Sequence, residues 1–165
     1  MIRHARVIAG VVTSSAVLAL WGCTEPTKPI SEGPRFAGIG TTGKATPINA
    51  CGTTINAPGT YALTDDLEDC TANGITVTVS DVSILLDGHT IDGDGHSFDG
   101  SAAFSGIAVG VGVAGGVRNV RIQGPGTIQQ FDIGVHFEGV SNSQMVGVTS
   151  DGNFFGLAPN AGFDA

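Results

Sequence analysis

Short runs in which apolar residues recur at every second position punctuate this chain, with a period of two rather than 3.6. Ile75-Thr76-Val77-Thr78-Val79 alternates cleanly, Val82-Ser83-Ile84 follows the Ser80-Asp81 corner, and Ile107-Ala108-Val109 and Val120-Arg121-Ile122 repeat the pattern. Successive side chains of a strand point to opposite faces, so each run predicts a β-strand with one face buried. From Cys51 onward no segment carries a helical stripe. Most runs end in Gly, Asn or Asp, which accept the backbone angles of tight corners. The 26 glycines among 165 residues would weaken long strands, yet they suit a chain that turns every few residues.

A faint repeat organises these strands. Asn119-Val120-Arg121-Ile122-Gln123-Gly124 is echoed by Asn142-Ser143-Gln144-Met145-Val146-Gly147, 142 − 119 = 23 residues on, and Gly134-Val135 returns as Gly156-Leu157, 156 − 134 = 22 residues on. A period in the low twenties without helix formers is what a coiled parallel sheet requires, because one turn buries its apolar face only when a neighbour stacks on it. Earlier intervals are longer: 106 − 74 = 32 from Gly74 to Gly106 and 134 − 106 = 28 from Gly106 to Gly134. The surplus is assigned to loops within Asp92 to Ser105 and Val111 to Gly116. The expectation is an all-β solenoid of about four to five coils.

The N-terminus changes the picture of where this solenoid works. Arg3 and Arg6 precede an apolar stretch, Val7 to Leu20, that is short for a bilayer span and reads as an export signal. Leu20-Trp21-Gly22-Cys23 resembles the lipobox of bacterial lipoproteins, in which Cys23 would be lipidated and become the new N-terminus; Trp21 departs from the small residue usual there. By the same resemblance, Thr24 rather than Asp after the cysteine points to the outer membrane. A plain secretory signal is the alternative. Residues 1–22 are thus read as signal, 23–50 as a lipid-anchored disordered tether rich in proline (Pro26, Pro29, Pro34, Pro47), and 51–165 as the folded domain.

Removing the signal leaves five cations against 15 acids, so the net charge moves from −8 to 5 − 15 = −10. Lys28, Arg35, Lys44, Arg118 and Arg121 are too scattered to track a phosphate backbone, which argues against a nucleic-acid partner. A cation or a neutral glycan suits the acidic surface better. With Cys23 consumed by lipid, Cys51 and Cys70 remain as an even pair in an oxidising compartment and are expected to form a disulfide. It would close a loop of roughly 20 residues, worth about 3 kcal/mol in the chain-entropy account.

Three segments carry a family resemblance: Cys51-Gly52-Thr53-Thr54-Ile55 through Cys70, Leu85-Leu86-Asp87-Gly88-His89-Thr90-Ile91, and Gly124-Pro125-Gly126-Thr127-Ile128. They resemble the first rungs of the right-handed parallel β-helix family, the fold of pectate lyases, polygalacturonases, alginate epimerases and NosD-like repeat proteins. The resemblance covers residues 51–165 and implies a right-handed coil, while the fold itself hosts many functions. No capping helix or polar terminal strand is legible before Ala165, so the expectation is the N-terminal part of a longer β-helix whose C-terminal cap is missing.

Candidate chemistry is sparse. Asp87, His89, Asp92, Asp94 and His96, with Asp99 nearby, form the densest polar cluster and a weak candidate for Ca²⁺; counted from Asp92, the sixth residue is Ser97 where an EF-hand needs Gly. A solvated acidic loop is the plainer reading. Arg121 resembles the arginine base of pectate lyases, and aligning rungs sets Ser83 and Gln144 at equivalent outward places, so Arg121 and Gln144 are candidates to face a groove. Neither neighbour is acidic, and Gly88-His89-Thr90 lacks the second glycine of the polygalacturonase Gly-His-Gly motif, so no catalytic residue is assigned. Asp81, Asn119, Asn142 and Asn153 are read as corner residues forming a ladder between coils. Phe131, Phe137, Phe154 and Phe155 are read as stacked core or corner side chains. Together these features predict a cell-envelope lipoprotein that presents a β-helix face to polysaccharide or another envelope partner, with no cofactor beyond Ca²⁺. The alternative is the N-terminal part of a polysaccharide lyase, glycoside hydrolase or epimerase whose catalytic rungs lie beyond residue 165.

Overall fold

A computed structural model describes residues 44–95 and 103–159 of the chain. Among the described residues there is no helix. The strands are Thr46–Ile48 (β1), Thr53–Ile55 (β2), Gly59–Leu63 (β3), Leu67–Cys70 (β4), Ile75–Val77 (β5), Val82–Leu85 (β6), Thr90–Gly93 (β7), Ser105–Val109 (β8), Val117–Arg118 (β9), Val120–Gln123 (β10), Thr127–Gln129 (β11), Ile133–Phe137 (β12), Val140–Ser141 (β13), Gln144–Val146 (β14), Thr149–Asp151 (β15) and Phe155–Pro159 (β16). They build three main sheets, ordered β1-β3-β6-β10-β14, β4-β7-β11-β15 and β2-β5-β8-β12-β16, with β9 and β13 as a fourth, two-stranded one. Every pairing is parallel. From β3 onward the chain visits the first, second and third sheets in turn and then returns to the first, an order consistent with a parallel β-solenoid.

The alternation seen in the sequence sets the register. Val82 pairs with Val120, and Ile84 with Ile122 and then Met145. Ile91 pairs with Ile128 in the second sheet, while Ile75, Ile107 and Val135, then Val77, Val109 and Phe137, align in the third. Apart from Met145, which is partly buried, these side chains are wholly or almost wholly removed from water. Each such burial contributes about 1.5–3 kcal/mol, so the core is a stack of like side chains in which each pass covers the one before.

Glycines hold the corner between the second and third sheets. A Cβ on Gly74 would lie 2.6 Å from the Gly106 carbonyl oxygen, one on Gly106 would lie 2.8 Å from that of Gly134, and one on Gly134 would lie 2.5 Å from that of Gly156. The four glycines whose intervals marked the repeat therefore stand one above the next, and a side chain at this corner would drive adjacent passes apart. Shorter later intervals follow from shorter connections, not from a change of corner. Thr46–Ile48, which fell inside the expected tether, instead pairs with Tyr61 to Leu63, and Ile48 is buried. Pro47 is compatible with this position because β1 is an outermost strand of its sheet, where a missing N–H breaks no second ladder.

Candidate functional site

The second sheet presents the most regular polar face. Ile91 and Ile128 point inward from β7 and β11, so their neighbours point out: Thr90, Thr127 and Thr149 align in register, as do Asp92, Gln129 and Asp151. Strands in a sheet stand about 4.8 Å apart and alternate residues on one strand roughly 7 Å apart, so the face is a grid of hydroxyls beside a column of carboxylate, carboxamide and carboxylate. A flat array of this kind offers hydrogen-bond donors and acceptors at regularly repeated positions to a ligand lying along it.

An Asp–His pair borders this grid. The Asp66 Oδ1 accepts the Thr90 N–H at 2.8 Å and stands 3.0 Å from His89 Nδ1. The Thr90 N–H, and then His89, hold the Asp66 carboxyl below the usual carboxylate range. An ionised carboxylate has no hydrogen to give, so Nδ1 of His89 carries the hydrogen that they share. Both side chains remain partly open to solvent. Asp66 lies between Cys51 and Cys70 in the chain, and its separation from His89 is 23 residues, one repeat.

The members of the candidate metal cluster that fall among the described residues stand apart. Asp87 is exposed at a turn with φ 48°, His89 faces Asp66, and Asp92 sits outward on β7 beside Gln129. Asp94 is exposed beyond the strand end. Among the described residues no three His, Cys, Asp or Glu side chains stand close enough to hold an ion. The separation has a geometric cause: Asp87 belongs to the turn before β7, whereas Asp92 is carried out along the strand. His96, like Asp99 and Cys23, lies outside the described residues. One Asp92 oxygen, Oδ1, is buried without a hydrogen-bond partner.

Arg121 and Gln144 are adjacent on the first sheet, in an outward column that runs Thr60, Ser83, Arg121, Gln144. The Arg121 Nε–H donates to Gln123 Oε1 at 3.1 Å. The column brings no carboxylate to the arginine, and a lyase-type site needs stacked acids to hold its cation there.

The corner residues divide between two places. Asp81, Asn119 and Asn142 all adopt positive φ (63°, 57° and 48°) and form a ladder: Asn119 Nδ2 donates to Asp81 Oδ1 at 2.6 Å, and Asn142 Nδ2 to Asn119 Oδ1 at 2.5 Å. Asn153 serves the other corner, where its Oδ1 accepts the Phe131 N–H at 2.9 Å and its Nδ2 donates to the Ile128 carbonyl at 2.8 Å. Cys51 and Cys70 are joined, with Cα atoms 5.5 Å apart. Phe131 and Phe137 are buried as expected, but Phe154 and Phe155 are 61% and 51% exposed, because nothing among the described residues stacks beyond the pass that carries them. No protein-family model, curated protein or solved structure matches this chain.

Proposed function

We propose that the chain is an exported, lipid-anchored protein of the bacterial cell envelope whose right-handed parallel β-helix, of about four to five coils, holds polysaccharide along the outward face of β4, β7, β11 and β15. The single observation that carries this reading is the aligned grid of Thr90, Thr127 and Thr149 beside Asp92, Gln129 and Asp151. Hydroxyl and carboxamide groups repeated at fixed spacing suit a ligand that itself repeats, and many weak contacts along one face add up. The right hand follows from the general rule that connections between parallel strands of one sheet turn that way. The anchor rests on the Leu20-Trp21-Gly22-Cys23 motif. With a net charge of 5 − 15 = −10 once residues 1–22 are removed, the chain favours neutral glycans, or acidic ones bridged by cations.

A glycan array carrying neutral and acidic envelope polysaccharides tests the reading. Binding to at least one repeating neutral glycan, and not to its monosaccharide, is expected. Silence across the array would remove the proposal.

A further inference from the structure

The polar face of the second sheet breaks its own repeat at one place. Leu67 pairs with Ile91, so Asp66, the residue before it, stands beside Thr90 and begins the column that continues as Thr90, Thr127 and Thr149. Further along this column each threonine N–H donates to a backbone carbonyl, Thr149 to Gly126 at 2.9 Å and Thr127 to His89 at 3.1 Å. The Thr90 N–H donates instead to the Asp66 side chain, at 2.8 Å. That bond draws the carboxylate onto the edge of β7, where the same oxygen holds the His89 imidazole, 3.0 Å from Nδ1.

Hydroxyls of one kind at one spacing give a repeating ligand hold without register. A polymer that slides by one pass meets a threonine hydroxyl again, and beside it a carboxylate or carboxamide oxygen. The pair at the end of the column supplies what the grid lacks. Immediately before the column, where the second pass carries His89, the next two carry Gly126 and Val148. The imidazole therefore has no counterpart further along the face, and its side chain is 32% exposed. Its only polar contact among the described residues is made by Nδ1, which leaves Nε2 to a ligand. Nε2 carries a lone pair in the neutral ring and a hydrogen in the charged one, and a sugar hydroxyl, both donor and acceptor, bonds to either.

On the reading that this face holds polysaccharide, we infer that His89 is a ligand-contacting residue. Its imidazole, held by Asp66, takes a sugar hydroxyl at the N-terminal end of the threonine column and fixes the register in which the polymer lies. Asp66 acts as a positioning residue, because a ring already held loses less freedom when the sugar arrives. Surrounding charge restricts the sugar at this end. Asp65, Glu68 and Asp69 on the pass of Asp66, and Asp87 in the turn before β7, are all exposed acids, so a sugar bearing a carboxylate is disfavoured here.

Affinity electrophoresis of the full-length chain in gels containing dextran, galactomannan or mannan, three neutral polysaccharides, tests this together with imidazole nitrogen NMR in the same polymers. A polymer that retards the native chain is expected to shift the His89 ring resonances, assigned by their loss in His89→Ala, and to leave those of His136, on the third sheet, in place. His89→Ala should weaken retention about tenfold, the effect of one hydrogen bond, and Asp66→Ala, which leaves the ring but frees it, about threefold. Were the pair only a link between passes, polysaccharide would not move the ring resonances. A retarded native chain whose His89 resonances stay in place, or a folded His89→Ala variant retained as strongly as the native chain, would overturn the inference and leave the polysaccharide site standing. Free migration of the native chain in all three gels would remove the site and the inference with it. Far-UV circular dichroism of each variant separates a lost contact from a lost fold.

Discussion

Asn119 serves two neighbours at once, donating an amide hydrogen to Asp81 and accepting one from Asn142 at its side-chain oxygen, while its own backbone stands at φ 57°. Asn119→Ala would remove both hydrogen bonds and leave a Cβ in the left-handed region, for a loss of roughly 2–4 kcal/mol; Asn119→Gly relieves the backbone and should lose about half as much. Urea unfolding of both variants measures the difference, and equal losses would show that the backbone angle carries no cost. The ladder was legible because Asn119 and Asn142 repeat at the coil period with the same flanking residues. Asp66 was not, since nothing beside it in sequence hints at His89. Its carboxyl is held low in the folded chain, so the stability it contributes is complete above the unfolded value of about 3.9 and is lost as pH falls through the folded one. The gap in urea midpoint between the native chain and Asp66→Asn should therefore narrow on going from about pH 5 to about pH 3. A gap that widened would contradict the pairing with Thr90 and His89.

Elements in this chain are short, and what made them legible was alternation rather than length. Val82–Leu85 and Val120–Gln123 read directly because apolar residues fall on every second position with one face in the core. Leu67–Cys70 did not, because its two buried residues sit at the ends with Glu68 and Asp69 exposed between them, and its pairing with β7 shifts register. Thr46–Ile48 was hidden by its proline and by the loop composition around it. The corner glycines connect these strands into one stack. Gly106→Ala would press a methyl group against the Ile128 side chain and within 2.8 Å of the Gly134 carbonyl oxygen, a backbone contact that cannot swing away. A loss of about 1–3 kcal/mol or more is expected. Gly112→Ala, at φ 69° but with nothing within 4 Å, should lose only about 1–2 kcal/mol from the backbone angle. If the two glycines proved equally tolerant in urea melts, the close approach of the passes would be wrong.

At the scale of the whole molecule, three sheets turn three outward faces to solvent, and they are not alike. The first carries Arg121 and Gln144, the third carries Thr54, Thr76, His136 and Ala158 with Ala108 buried among them, and the second carries the threonine and carboxamide grid. Strand order and the disposition of the core followed from the periodicity of the sequence. Which face is the most regular did not, because register decides it and the coil-to-coil offset varies with loop length. The measurement that bears most directly on the account is affinity electrophoresis in gels containing a repeating neutral polysaccharide, with mobilities normalised to gels without it. Retardation of the native chain and of Arg121→Ala, with free migration of a folded Thr127→Val/Gln129→Leu variant, is the predicted result. A native chain that migrates freely in every gel, or a Thr127→Val/Gln129→Leu variant retarded as strongly as the native chain, would contradict it.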